Sequence, residues 1–316
     1  MDASEISYGI ILLLQIIIEI SRNVFLLLVY ARVVFTSHKM YPLDFIFSQL
    51  ALSNSIALVS FGIPEIMSAW GLRNFLNAIG CKIVFYVHRV GRGLVISTTC
   101  FLSIFQAIAI SPATSWWAGA KVSLPKCILP SYLFSWVLSL LIDVTTLLNM
   151  DRPLNFTNNQ RTFITKYCSS VNVSAVTTLV NAVVLSLRDL FFGGLMSTAS
   201  GYMVLLLHMH HRQVQHLHGP GRSLGMMPEI RAAKNVVALV TLYIVLYGQE
   251  TVTLSILINE RKKSPHLVNY FKMLASTFSV ISPFLIIHNK QRMRMFGRRT
   301  SPISNLHPSP ALKEVA

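Results

Sequence analysis

The sequence predicts an all-α membrane protein, a bundle of seven transmembrane helices with its amino terminus outside and its carboxyl terminus in the cytoplasm. Of 316 residues, 53% are hydrophobic and only 12% are charged, whereas a soluble domain usually carries about 25% charged residues. Seven stretches are apolar enough to cross a bilayer, which takes roughly 20 residues. The segments between them are too short for a separate soluble domain.

The predicted spans form one membrane domain over residues 1–288, and residues 289–316 form a cytoplasmic tail. Pro42 and Asp44 suit the start of the second span, because proline and an acidic residue are both favoured in the first turn of a helix. The tail is basic and then rich in Pro and Ser, so we expect it to be disordered. The predicted spans cover residues 8–33, 44–67, 82–110, 126–148, 181–208, 232–258 and 266–287.

The orientation is predicted from charge and from glycosylation signals. Lys and Arg are more frequent in the segments placed inside than in those placed outside, as the positive-inside rule requires. Asn155 and Asn172 begin two glycosylation sequons in the loop before the fifth span, which places this loop outside. The net charge of +15 is therefore attributed to cytoplasmic segments that meet anionic lipid, and no nucleic-acid partner is expected.

The third span combines charge with apolar residues. Arg89 and Arg92 lie one helical turn apart, roughly 12 and 16 Å beyond Cys81 at 1.5 Å per residue. Because lipid does not tolerate such charges, this span belongs inside the bundle.

In the first span, Glu19 and Arg22 are i, i+3 neighbours and are predicted to pair with each other.

Further charges fall in the outer half or middle of the predicted bundle: Arg188 and Asp189 in the fifth span, Glu250 in the sixth and Lys272 in the seventh. Two interpretations remain open and are compatible. The charges pair with one another inside the bundle, with Glu250 or Asp189 against an arginine, or they contact a ligand in a cavity open to the outside.

The sequence does not indicate an enzyme, a metal site or a cofactor. No span carries a nucleophile with a base at matching spacing. Lys272 lies eleven residues before Pro283, one turn too far out for the retinal lysine of opsins. A group of histidines at the inner end of the fifth span is interpreted as a segment that faces headgroups and a cytoplasmic partner: His208, His210, His211, His216 and His218.

The four cysteines divide into two pairs. Cys100 and Cys127 lie in apolar runs and are predicted to be packed thiols. Cys81 and Cys168 lie at a helix end and in a loop, where an oxidising compartment could join them. Such a bridge would hold the loop before the fifth span over the mouth of the bundle.

The third span, with the sequence CKIVFYVHRVGRGLVISTTCFLSIFQAIAISP, resembles that of the vomeronasal type-1 receptors, a pheromone-receptor family with the rhodopsin-like seven-helix fold. The resemblance covers nearly the whole chain in order. It departs from the larger rhodopsin-like family at the inner end of the third span, where Asp-Arg-Tyr is replaced by Ile110-Ser111-Pro112. Further matching segments are Leu50-Ala51-Leu52, Tyr167-Cys168, Arg188-Asp189-Leu190, Ser200-Gly201-Tyr202, Val214-Gln215-His216-Leu217-His218, Pro228-Glu229 and Ser282-Pro283-Phe284.

The resemblance implies a G-protein-coupled receptor in the plasma membrane of sensory neurons, with small pheromone-like ligands and an inhibitory-type G protein as partner. The bridge between Cys81 and Cys168 is the commonest disulfide of seven-helix receptors. The proposed ligand-binding residues are Arg89, Arg92, Arg188, Asp189, Glu250 and Lys272. The proposed G-protein-facing residues are Ser111, Arg212, Arg231 and Lys234.

Two alternatives stay open at this point. A small transporter or channel would show two hydropathy halves with broken helices, and the sequence shows no such symmetry. A receptor relic that folds but couples weakly to a G protein would have the same sequence pattern as a working receptor.

Overall fold

The computed structural model describes residues 3–37, 42–72, 75–112, 118–145, 147, 150–151, 162–163, 167–170 and 175–218, and positions 234, 237, 238, 240–242, 244 and 245. Within this part, five helices are long and apolar enough to cross a membrane. The predicted seventh span, most of the sixth and the tail lie outside the described residues. The five helices are α1 (Ala3–Ser37), α2 (Pro42–Ala69), α3 (Ala78–Ile110), α4 (Ala118–Ile142) and α5 (Ala175–His218).

A short 3-10 turn, Asp143–Thr145, follows α4, and a three-stranded antiparallel sheet lies between this turn and α5. Its strands are β1 (Met150–Asp151), β2 (Thr162–Phe163) and β3 (Ser169–Ser170), with β3 in the middle. The sheet lies at the end of the bundle where α3 begins and α4 ends. We call this the disulfide end, and the other, where α3 ends, the Pro112 end.

Helix α3 is the central element, because it contacts α2, α4, α5 and β1. Close approach between α3 and α2 depends on Gly91, since a Cβ at this position would lie 2.9 Å from the backbone nitrogen of Ala57. One turn away, Nδ1 of His88 is 3.1 Å from the Ala57 carbonyl oxygen. Small residues that let helix backbones approach are the usual basis of helix packing in membranes.

The main apolar core runs through all five helices towards the Pro112 end. Tyr132 of α4 packs edge-on against Phe45 of α2 and Phe101 of α3, each at 5.2 Å between ring centroids. Met196 and Met203 of α5 are fully buried in the same core. Val240, in the described part of the predicted sixth span, is also buried there, so this segment packs against the bundle.

The limits of α3 agree best with the sequence prediction. Asn77 caps its first turn, and the Asn77 side-chain oxygen accepts a hydrogen bond from Gly80 N at 2.7 Å. This N-cap satisfies an amide that would otherwise lack a partner, and α3 therefore starts four residues before the predicted Lys82. The helix ends at Ile110, as predicted, because Pro112 follows Ser111 and disfavours helical backbone at the residue before it.

The predicted limits of the fourth span are wrong at both ends. Residues 113–125 were interpreted as a loop, yet α4 begins at Ala118 and includes Pro125 and Pro130. Proline is tolerated inside membrane helices because neighbouring groups satisfy the freed carbonyls. The helix ends at Ile142 rather than 148, because the chain tightens into the 3-10 turn at Asp143.

Helix α5 is longer than predicted at both ends, covering Ala175–His218 instead of 181–208. The histidine-rich segment after His208, which lies beyond the predicted end of the fifth span, is helical. A polar segment can remain helical beyond the apolar span, since placing His, Gln or Arg in a helix costs little free energy relative to alanine. The limits of α1 and α2 differ from prediction by two to five residues, a usual margin for helix ends.

Two smaller predictions are also wrong. The carboxylate oxygens of Glu19 accept no hydrogen bond from Arg22, so the predicted pair is not formed as a hydrogen-bonded contact. Cys127, predicted to be packed, is exposed on α4. Cys100 is buried, as predicted.

Candidate functional site

A disulfide joins Cys81, in the first turn of α3, to Cys168, immediately before β3, as the sequence analysis predicted. Both cysteines are fully buried. Beside them the ring of Tyr167, also fully buried, packs 5.5 Å from the ring of Phe75 and 6.4 Å from that of Phe85. We call the sheet together with Tyr167 and Cys168 the cap. The cap is thus fixed to α3 by a covalent bond and an aromatic cluster.

The cap also reaches α2 through a polar contact. The Tyr167 hydroxyl donates a long hydrogen bond of 3.5 Å to Oε2 of Glu65, a carboxylate that is 3% exposed. Glu65 lies near the disulfide end of α2, immediately after Pro64. The contact links the cap to a second helix, so cap position and helix position depend on each other.

Below the cap, four charged side chains from three elements form a continuous chain of ion pairs. Nε of Arg89 on α3 donates to Oδ1 of Asp143 at 3.1 Å. The other carboxylate oxygen of Asp143, Oδ2, accepts from Nη1 of Arg188 on α5 at 3.0 Å. Arg188 also donates through Nε to Oδ1 of Asp189 at 3.0 Å. We call these four residues the charge cluster.

Burial differs strongly along the charge cluster. The Asp143 side chain is 0% exposed, Arg188 6% and Asp189 12%, whereas Arg89 is 30% exposed. Arg89 uses only its Nε in this network, and within the described residues its terminal nitrogens have no ion-pair partner. The two positive and two negative charges compensate one another. Arg89 is therefore the member with donors left to offer a further partner.

Gly93 of α3 leaves the space that the Arg188 guanidinium occupies. A Cβ at this position would lie 2.8 Å from Nη1 of Arg188 and 3.1 Å from Oγ of Ser139. Both distances are shorter than normal contact, so a side chain here would displace the guanidinium from Asp143. The absence of a Cβ at Gly93 therefore allows α5 to place its arginine between α3 and α4.

Alanine in place of Gly93 is expected to destabilise the protein by about 1–3 kcal/mol, the usual cost of overpacking. The measurement is the melting temperature of the purified full chain in detergent. Gly194→Ala is the matched control, because a Cβ at Gly194 meets no atom within 4 Å and alanine favours the helix more than glycine. Equal melting temperatures for the two variants would contradict this role of Gly93.

The structure brings three of the six proposed ligand-binding residues into the charge cluster: Arg89, Arg188 and Asp189. Pairing between Arg188 and Asp189 confirms the interpretation of internal pairing for these two residues. Arg92, three residues beyond Arg89, is partly buried on α3. Other predicted positions lie outside the described residues: Glu250, Lys272, Arg231, Asn155 and Asn172.

Sequence reasoning missed Asp143 and Glu65 as site residues. Asp143 lies as a single charge near the end of the predicted fourth span, and its link to two arginines depends on how α3 and α5 approach it. Glu65 carried a usable signal, because an acidic residue in an apolar span is expected to have a function or a partner.

At the Pro112 end, Ser111 is 3% exposed, so its side chain is buried instead of facing a partner as predicted. Its Oγ donates to the Ala107 carbonyl at 2.8 Å and lies 3.0 Å from the Tyr202 hydroxyl of α5. Nζ of Lys121 on α4 donates to the carbonyl oxygens of Ala109 and Ser111, at 3.2 and 2.5 Å. Three helices are thus connected where α3 ends.

The fold and the site define a multi-pass membrane protein with a disulfide-anchored cap above a buried charge cluster. A family model described as the vomeronasal organ pheromone receptor family matches residues 6–299. The chain belongs to this family, which confirms the resemblance found in the sequence. Membership indicates a receptor and not an enzyme, and it fits the predicted plasma-membrane location.

Individual relatives agree with this assignment. Vomeronasal type-1 receptor 3 of Homo sapiens is 36% identical over 299 residues, which are 94% of this chain and 95% of that protein. Vomeronasal type-1 receptor 1 of Gorilla gorilla gorilla is 36% identical over 299 residues, 94% of this chain and 84% of that protein. Olfactory receptor class A-like protein 1 of Danio rerio is 32% identical over 295 residues, 93% and 92% of the two chains.

Proposed function

We propose that the protein is a G-protein-coupled pheromone receptor with seven transmembrane helices, which binds a small molecule from outside the cell and activates an inhibitory-type G protein. The observation that carries this proposal is the charge cluster beneath the cap, because a buried group of charges in a membrane protein marks a functional site by default. Membership of the receptor family supports it. In this proposal the disulfide end faces outside and the carboxyl terminus is cytoplasmic.

The position of the cap supports this orientation. A disulfide is stable in an oxidising compartment, and Cys168 lies between the two proposed glycosylation sites, Asn155 and Asn172, in the same loop region. N-linked glycans are added in the secretory lumen, which becomes the outside of the cell. The membrane domain over residues 1–288 and the tail over 289–316 remain as the sequence analysis proposed them.

We place the ligand beside Arg89, because this residue combines partial exposure with terminal nitrogens that have no ion-pair partner in the described part of the chain. A ligand that accepts hydrogen bonds from the terminal nitrogens of Arg89 would draw the guanidinium towards itself and away from Asp143, which is bound to Nε. The released carboxylate would then be held by Arg188 alone. Arg92, Glu250 and Lys272 are proposed to line the same cavity, while Arg188 and Asp189 mainly hold Asp143 in place.

The signal is proposed to reach the Pro112 end as a shift between two bundle arrangements. Arg212 and Lys234 are exposed and, with Arg231, would meet the G protein. Ser111 is assigned a different role from these three, because a buried hydroxyl that contacts Tyr202 positions α3 against α5 and does not offer a surface contact.

The test is nucleotide exchange on an inhibitory-class G protein in membranes that contain the full-length receptor. The probes are small organic molecules that share a carbon skeleton and differ in one hydrogen-bond acceptor. For a compound that activates, Arg89→Gln should raise the half-maximal concentration about 10- to 100-fold, as expected for loss of a hydrogen bond to a charged group. Arg32→Gln, the same change at an exposed residue of α1, should leave it unchanged.

Two results would contradict the proposal. Ligand-independent ion or solute flux in proteoliposomes, without nucleotide exchange, would favour a transporter or channel. A well-folded receptor that gives no exchange with any compound, on inhibitory or other G proteins, would favour a receptor relic.

A further inference from the structure

The buried face of α1 is an apolar seam that two polar residues interrupt. Leu12, Ile16, Leu26 and Tyr30 follow one another at helical spacing and are at most 4% exposed. Glu19 and Asn23 occupy the positions between them in the same spacing, and both are 0% exposed. A carboxylate and an amide therefore lie next to each other, one turn apart, in the middle of a helix of membrane-spanning length.

All four polar side-chain atoms of this pair lack a hydrogen-bond partner among the described residues: Oε1 and Oε2 of Glu19, and Oδ1 and Nδ2 of Asn23. Gln15, one turn towards the disulfide end, offers the carboxylate only a weak polar contact. Arg22 is partly exposed at the edge of the seam and donates no hydrogen bond to the carboxylate.

Contacts along α1 and α2 determine what lies opposite the pair. Gly9 packs against Ala69, and Tyr30 stacks on Phe47 with 6.5 Å between ring centroids. The two helices are thus antiparallel, and the register in between places Asn23 level with Asn54. Asn54 is also 0% exposed, so its amide faces into the protein at this level.

A buried carboxylate without a positive partner is strongly unfavourable in a membrane protein, so the charge of Glu19 must be compensated by a bound cation or removed by a proton. Carboxylate and amide oxygens are the ligands that hard cations prefer. One negative charge with neutral amides around it matches a monovalent ion better than a divalent one. We propose that Glu19 and Asn23, with Asn54 opposite, bind a sodium ion between α1 and α2. This site is separate from the charge cluster and does not depend on the proposed function.

The test uses the full-length receptor in lipid nanodiscs and needs no receptor ligand. Thermal unfolding is compared in sodium chloride and in N-methylglucamine chloride at equal ionic strength and pH. A cation that binds only the folded state raises stability with its concentration, so sodium should raise the melting temperature by about 2–4 °C in a saturable way. Glu19→Gln should abolish the difference between the salts, and Asn23→Ala should shift it to higher sodium concentrations.

Glu65→Gln is the matched control, because Glu65 is a similarly buried carboxylate that already accepts a hydrogen bond from Tyr167. This variant should keep the sodium response. Equal melting temperatures of the natural chain in both salts would overturn the proposal, as would a sodium response that persists in Glu19→Gln. A melting temperature that ignores sodium but rises on acidification, and does so only when Glu19 is present, would identify a proton as the counterpart and would also overturn it.

Discussion

Replacing Asp143 with asparagine should destabilise the protein more than any other single change in the charge cluster. Asp143 is fully buried and accepts from Arg89 and Arg188, so its loss leaves two guanidinium groups close together without their shared counter-charge. Removing one partner of a buried ion pair costs about 3–5 kcal/mol. Because Arg89 is partly exposed and water can solvate its charge, we expect a loss of stability near the lower end of this range. The measurements are the melting temperature in detergent and the amount of receptor at the cell surface.

Two comparison variants distinguish this electrostatic cause from general damage. Asp189→Asn should cost less, because Asp189 contacts only Arg188 within the charge cluster and is more exposed. Adding Arg89→Gln to Asp143→Asn should recover part of the lost stability, because it removes one uncompensated charge, and coupling of this kind is what a double-mutant cycle detects. If the two changes are simply additive, Asp143 does not act as the shared partner of the arginines.

The membrane class of the protein and the limits of α3 could be predicted because they depend on local signals. Apolar length indicates a span wherever it occurs, and Pro112 ends α3 through the backbone it imposes on Ser111. Pro125 shows the limit of such signals, because residues 113–125 were predicted to be a loop and yet α4 runs through Pro125. Whether proline ends a helix inside a membrane depends on neighbouring groups that satisfy the freed carbonyls, and a single sequence does not contain that information.

The candidate site was predictable in part, because some of its residues also carry a local signal. Arg89, Arg188 and Asp189 stand out as charges in apolar spans, and the rule that such charges must pair was enough to expect partners for them. The choice of Asp143 as the shared partner depends on Gly93, which lets Arg188 lie across α3, and on the 3-10 turn that directs the carboxylate inward. Both are effects of packing between three helices, so no spacing along the chain reveals them.

Loss of the disulfide is the second large effect that we expect. The bond between Cys81 and Cys168 links residues 87 apart in sequence, and the chain-entropy model gives about 4–5 kcal/mol for closing a loop of this length. Helices that stay in the membrane keep part of their order after unfolding, so we expect Cys168→Ser to cost about 2–4 kcal/mol. The loss of stability is measured as the change in melting temperature. The position of the cap is checked by the binding of a conformation-sensitive antibody.

The decisive comparison is between single and double variants. If the bond alone matters, Cys81→Ser, Cys168→Ser and the double variant should lose the same stability, because each removes one and the same constraint. The control is Cys127→Ser, since Cys127 is a free, exposed cysteine and its change should have no effect. A double variant much less stable than either single variant would mean that the buried side chains stabilise the cap by packing with Tyr167, and that the covalent bond contributes little.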